Sequence, residues 1–250
     1  MGISSALVPP VALVLGVVLT GPATSTVLAQ SAGQYQKACD QGNLHACTSL
    51  GLAYAQGSGV PLDLARAVAL FQKACDGGEP GGCNNLGASY ARGSGVPVDL
   101  PRAAALYLKA CEGGEARGCQ NLALSYMHGP GVVPDTARAM TLFKKACDLG
   151  EFWSCNSLGW GYEHGSGVPQ DVQRAAALYT KACEGKNAPG CYNLGLARQH
   201  GRGVPRDTAL ATTLLERACD GGEPRACAFL INKKQPWPPR LVLTPLPLSR

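Results

Sequence analysis

Apolar residues recur every three or four positions through most of the chain, and the pattern breaks at regular intervals on Gly and Pro. Ala67, Leu70, Phe71 and Ala74 share one helical face, as do Ala103, Leu106, Tyr107 and Ala110. Each such stretch follows an Asp at a fixed register, Asp63, Asp99, Asp135, Asp171 or Asp207. An Asp carboxylate there suits the free N–H groups that open a helix. This predicts a first helix type, helix B, which closes on Lys73-Ala74-Cys75 and its counterparts before a Gly-rich break. A second type, helix A, carries Cys83, Leu86, Gly87 and Tyr90, or Cys119, Leu122, Ala123 and Tyr126, again on one face. Loops such as Gly57-Ser58-Gly59-Val60-Pro61 end helix A, because Gly accepts positive φ and Pro cannot continue the helix. The third loop, 129–134, moves its Pro by one position.

The pattern is a tandem repeat. Cys39, Cys75, Cys111, Cys147, Cys183 and Cys219 lie 36 residues apart, and Cys47, Cys83, Cys119, Cys155, Cys191 and Cys227 each follow eight residues later. A period between about 20 and 50 residues marks a solenoid, in which each unit hides its apolar stripe only by stacking on its neighbours. Leu50, Leu86, Leu122, Leu158, Leu194 and Leu230 form one row, and the Gly or Ala beside the first five allows close helix approach. Strict repetition favours one bridge inside each unit, Cys39 with Cys47 and so on, tying the end of helix B to the start of the next helix A. The alternative is metal binding. Paired ligands of structural zinc sites are generally separated by only about two to four residues, which C-x7-C fits poorly. No C-x-x-C occurs to suggest redox exchange.

The 250 residues carry a net charge of +5 with 16% charged side chains, and the mean hydropathy is −0.01. That composition excludes a charged disordered tail protein and a polytopic membrane protein. The basic residues are scattered singly, so a nucleic-acid partner is not expected. The first charged residue is Lys37, and Val11 to Leu19 make a short apolar core. This reads as a secretory signal over residues 1–29 with cleavage after Ala29, although Met1 to Val8 hold no Lys or Arg. A secreted or periplasmic location follows, where thiols oxidise. Residues 30–234 are then about five full repeats with flanking half-repeats, and 235–250 form a Pro-rich tail, extended or disordered.

Catalytic chemistry is not expected. The strings S-x-x-K, S-D-N and K-T-G of serine β-lactamases do not occur. His128, His164 and His200 share one repeat register, but successive repeats hold them roughly 10 Å apart. Ligand bonds of about 2 Å cannot join them on one ion, so neither metal nor cofactor is expected. Their position in the last turn of helix A suits a donor near free carbonyls. Arg66, Arg102, Arg138 and Arg174, three residues after each Asp, read as solvated or paired within their helix.

Cys83-Asn84-Asn85-Leu86-Gly87, Tyr90, Gly93-Ser94-Gly95-Val96, Asp99, Ala103 and Tyr107 to Cys111 resemble Sel1-like repeats, relatives of the tetratricopeptide repeat. With its C-x7-C pairs the chain is similar to the secreted Helicobacter cysteine-rich proteins. The resemblance runs from about Gln34 to Lys233. It implies an all-α fold, a right-handed α/α superhelical solenoid, and a role as an adaptor that binds a protein or peptide partner. It also implies, as an alternative, penicillin binding and weak β-lactamase activity. In such a superhelix the first helix of each pair lines the concave groove. Two polar rows would then face that groove: Ser49, Asn85, Asn121, Ser157 and Asn193, and Gln56, Arg92, His128, His164 and His200. Asn offers both donor and acceptor to a peptide backbone. Trp153, Trp160 and Tyr192 break the repeat and are candidates for specificity. The competing reading has Asn bridging helices and Trp packing between repeats. A monomer with no membrane span after signal removal is expected.

Overall fold

The computed structural model describes residues 22–129 and 131–234, so the apolar part of the expected signal and the Pro-rich tail lie outside the described residues. Among those residues there are twelve helices and no strand. The B helices are α1 (Pro22–Asp40), α3 (Leu64–Asp76), α5 (Leu100–Glu112), α7 (Thr136–Asp148), α9 (Val172–Glu184) and α11 (Thr208–Asp220). The A helices are α2 (Leu44–Gln56), α4 (Pro80–Arg92), α6 (Ala116–His128), α8 (Phe152–His164), α10 (Ala188–His200) and α12 (Pro224–Lys234). Each of α2, α4, α6, α8 and α10 packs against the B helices before and after it in the chain, and α12 packs on α11. Helix α1 runs through Ala29, the expected cleavage position, into the first Cys.

Sequence signals and helix ends coincide. Asp63, Asp99, Asp135, Asp171 and Asp207 each cap a B helix, accepting from the N–H groups of its first turn. The same Asp residues donate their own backbone N–H to the Tyr54, Tyr90, Tyr126, Tyr162 and Arg198 carbonyls of the preceding A helix, so each loop is pinned at both ends. The A helices open on Asn43, Glu79, Glu115, Glu151 and Asn187, with side chains that accept from the first turn. Glu is outside the usual cap set, which is why the three Glu caps were not expected. Each of α2, α4, α6, α8 and α10 ends on a left-handed Gly. The second Gly of the loop has a further duty. A Cβ on Gly95 would lie 2.5 Å from the Leu64 carbonyl oxygen, and one on Gly167 would lie 2.6 Å from that of Thr136, so the loop rests directly on the previous B helix.

All twelve cysteines form local bridges, Cys39–Cys47 through Cys219–Cys227, with Cα atoms 4.4 to 4.8 Å apart. These clips join the B-to-A turn of every unit. The Leu row is buried from Leu50 to Leu194, and the small residues beside it do what their spacing implies: Gly51 lies under Phe71 and Gly87 under Tyr107. Repeats are also tied by contacts that the sequence pattern does not announce. Lys73 Nζ donates to the Cys39 carbonyl at 3.2 Å, and Lys109 Nζ to the Cys75 carbonyl at 2.8 Å, linking each B helix to the one before it.

Candidate functional site

Within the A row, α2 packs directly on α4, α4 on α6 and α8 on α10, whereas no two successive B helices pack to that extent. The A helices are therefore on the inside of the curve. The A row is looser between α6 and α8 and between α10 and α12. There the inner face opens a pocket of about 230 Å³ lined by Leu124, Met127, His128, Met140, Phe143, Trp153, Asn156, Ser157, Trp160, Asn193 and Arg225. Its floor is apolar. Trp153 meets Phe143 edge-on, ring centroids 5.8 Å apart. Trp160 stacks on His164 at 4.6 Å, and His164 Nδ1 lies 2.9 Å from the Trp160 carbonyl oxygen. Trp153 and Trp160 keep 36% and 44% of their surface exposed, a high value for residues that usually seek cover.

A second inner pocket, of about 300 Å³, opens between α2 and α4 over Phe71, with Leu52, Gln56, Asn85, Ser89 and Arg92 among its walls. Of the residues named from sequence, the two pockets thus gather Asn85, Arg92, His128, Trp153, Trp160 and Asn193. His164 joins through its stack on Trp160, while His200 sits exposed at the end of α10. Tyr192 lies elsewhere: its ring packs against the core cluster of Leu194 and Leu214, under the Arg225 guanidinium at 4.6 Å.

Two of the expected Asn contacts are spent inside the protein. Asn121 Nδ2 donates to Asn84 Oδ1, and Asn193 Nδ2 to Asn156 Oδ1, both at 2.8 Å, so each bridges adjacent A helices. At these two pockets the Asn–Asn bridge is replaced for a chemical reason. Thr48 occupies the register of Asn84 and donates to Glu79 Oε2 at 2.7 Å, and Ser157 occupies the register of Asn121 and donates to the Trp153 carbonyl at 3.1 Å. A serine is too short to span two helices.

The floor residue differs as well. Phe71 and Phe143 lie under the open pockets, and Tyr107 and Tyr179 under the bridged seams. Burial raises the Tyr107 phenol above its ordinary pKa, partly offset by the positive charge of Arg92. Burial raises Tyr179 much further, reinforced by the hydrogen bond its hydroxyl donates to Glu163 Oε2 at 2.6 Å. Glu163 in turn pairs with Arg202 at 2.6 Å. At the C-terminal end the Glu223 carboxylate is held below its usual range by two hydrogen bonds from Arg225, at 2.7 and 3.0 Å.

Outside the groove, Arg66, Arg138 and Arg174 pair with their capping Asp residues at 3.2 to 3.4 Å, as the spacing predicts. The sequence reading missed their second contact. Each guanidinium also covers the Tyr of the preceding A helix, Tyr54, Tyr126 and Tyr162, and Arg102 does the same to Tyr90 at 4.4 Å. The recurrence of Tyr and Arg twelve residues apart was the available signal.

The Sel1 repeat family matches residues 35–43, 44–79, 80–115, 116–151, 154–187 and 188–223, which is most of the chain. The chain belongs to the Sel1 repeat family. This Sel1 chain is similar to a protective antigen of uropathogenic Escherichia coli strains displaying an SLR fold. The identity is 34% over 80% of this chain and 43% of that chain, with a TM-score of 0.73. It is also similar to a Sel1 repeat protein from Oxalobacter formigenes, 31% identical over 83% of this chain and 60% of that chain, with a TM-score of 0.75. The chain therefore spans less than two thirds of the length of either. Helicobacter pylori cysteine-rich protein B is 34% identical over 53% of this chain and 95% of that chain, with a TM-score of 0.44. No curated protein sequence matches. Sel1 repeats typically mediate protein–protein contact. No helix among the described residues is long and apolar enough to cross a membrane.

Proposed function

We propose that this Sel1 chain is an exported scaffold that holds a protein or peptide partner along its inner face. One observation carries the reading: two large tryptophans, Trp153 and Trp160, stand exposed in an inner pocket while the rest of each repeat buries its apolar row. A partner side chain entering that pocket removes apolar surface from water, the usual origin of a binding hot spot. Export is supported by six disulfides, which persist where thiols oxidise, and by the apolar segment before Thr20. The mature solenoid of residues 30–234, acting as a monomer, is part of the same reading.

The test places a photo-crosslinking amino acid at position 160 on the inner face, or at position 108 on an exposed B-helix surface, in oxidised protein. Incubated with the envelope and secreted fractions of its host, position 160 should yield a discrete adduct that excess unlabelled protein suppresses. Adducts from position 108 alone would overturn groove binding. Turnover of a chromogenic cephalosporin, abolished by a single side-chain change, would instead support the hydrolase that the family resemblance implies.

A further inference from the structure

The two inner pockets share five registers of the repeat. Leu52, Ala55, Gln56, Phe71 and Asn85 line the first, and the residues two repeats later in the same registers, Leu124, Met127, His128, Phe143 and Ser157, line the second. The seam between them, over Tyr107, is drawn together by the Asn121–Asn84 bridge, and the one after the second pocket, over Tyr179, by Asn193–Asn156. The Asn–Asn bridge thus recurs with a period of two repeats, although every covalent clip keeps a period of one.

The chemistry of the rims is one-sided. Arg92 borders the first pocket and His128 the second, neither lining includes an Asp or Glu, and Arg225 of the second is already paired with Glu223. Adjacent A helices lie roughly 8 to 10 Å apart, so pockets two repeats apart are separated by nearly 20 Å. An extended peptide advances about 3.3 Å per residue and returns a side chain to the same face every second residue. Anchors about six residues apart therefore match the pockets in both distance and face.

We infer that the two pockets together hold one extended, acidic segment of a partner protein, through two apolar anchor side chains six residues apart with carboxylates between them facing Arg92 and His128. This rests on the groove-binding reading and specifies it. Two sites joined by one backbone act through effective concentration, so the pair of anchors binds far more tightly than either alone.

The probe is a fluorescein-labelled peptide, Trp-Asp-Glu-Ser-Asp-Glu-Trp, titrated by anisotropy against the oxidised protein. Comparators replace one Trp by Ser, shorten the anchor spacing to three residues, or exchange every acid for Lys. The six-residue acidic peptide should bind about tenfold or more tighter than each comparator. Gln120→Asn with Ser157→Asn installs the amide pair of the closed seams between α6 and α8, and should lower affinity to that of the single-Trp peptide. Asn85→Phe fills the first pocket and should do the same, with helical content and thermal midpoint showing that both variants fold. Arg92→Glu should weaken the acidic peptide and strengthen the Lys one. Equal affinity for one- and two-anchor peptides, or for three- and six-residue spacing, would overturn the two-pocket arrangement while leaving groove binding intact. No binding by any peptide would also overturn it, with groove binding still decided by the crosslink at position 160.

Discussion

The seams over Phe71 and Phe143 and the seams over Tyr107 and Tyr179 are built from the same helical hairpin and the same disulfide, yet only the second pair is drawn together by an Asn–Asn bridge. The difference comes down to few atoms: an Asn opposite an Asn in the closed seams, against Thr48 opposite Asn85 and Gln120 opposite Ser157 in the open ones. In a solenoid each unit contacts only its neighbours, so a local exchange at one seam is not averaged over the whole core. The frame of the repeat is uniform, and function resides in where that uniformity is relaxed.

Removing a clip should have the largest effect and should not distinguish the seams. Cys111→Ala with Cys119→Ala, beside a closed seam, and Cys147→Ala with Cys155→Ala, beside an open one, should each cost about 2.5 kcal/mol by denaturant titration. Unequal costs would mean that the seams, not the clips, dominate stability. Breaking a bridge should be selective. Asn193→Ala leaves the Asn156 carbonyl oxygen without its donor and should cost about 1 kcal/mol, whereas Ser157→Ala at the equivalent open position should stay within about 0.5 kcal/mol.

The tyrosines sharpen the contrast through pH. The phenols of Tyr107 and Tyr179 are raised when folded, so the folded state keeps protons that the unfolded chain releases above about pH 10. Their contribution is complete below that pH and is lost as pH rises beyond it. Tyr179→Phe should therefore flatten the alkaline loss of stability, and in ultraviolet titration two phenols should ionise later than the rest. At the other end of the scale, Glu223 is lowered by Arg225, so its contribution is present above the ordinary carboxylate range and disappears as pH falls below it. An acid melt of Glu223→Gln should be shallower there. Trp160→Ala should have the smallest effect on stability, under about 0.5 kcal/mol because the ring is half exposed, while groove binding weakens strongly.

Much of the frame was legible because its signals are local. Asp63 caps a helix three residues away, Gly57 ends one, and Cys75 meets Cys83 across a single turn, so spacing along the chain is enough to place them. The Glu caps of the A helices escaped notice because Glu is a rare cap, and Lys73 because its partner lies one repeat back. The candidate site was legible only as rows. Asn85, Asn121 and Asn193 share a register, yet Asn85 lines a pocket, Asn121 bridges helices and Asn193 does both. Tyr192 broke the repeat as Trp153 and Trp160 did, but it packs half-buried against the cluster of Leu214, under Arg225.

What the sequence by itself determined is the hairpin: its helices, caps, turns and sulfur bonds, all set by interactions within about a dozen residues of chain. Only the tertiary structure decided which inner seams form an amide bridge, because that depends on side chains some thirty-seven positions apart meeting across stacked helices. The stagger and curvature of the stack decide whether an amide reaches its partner, and no single repeat encodes them.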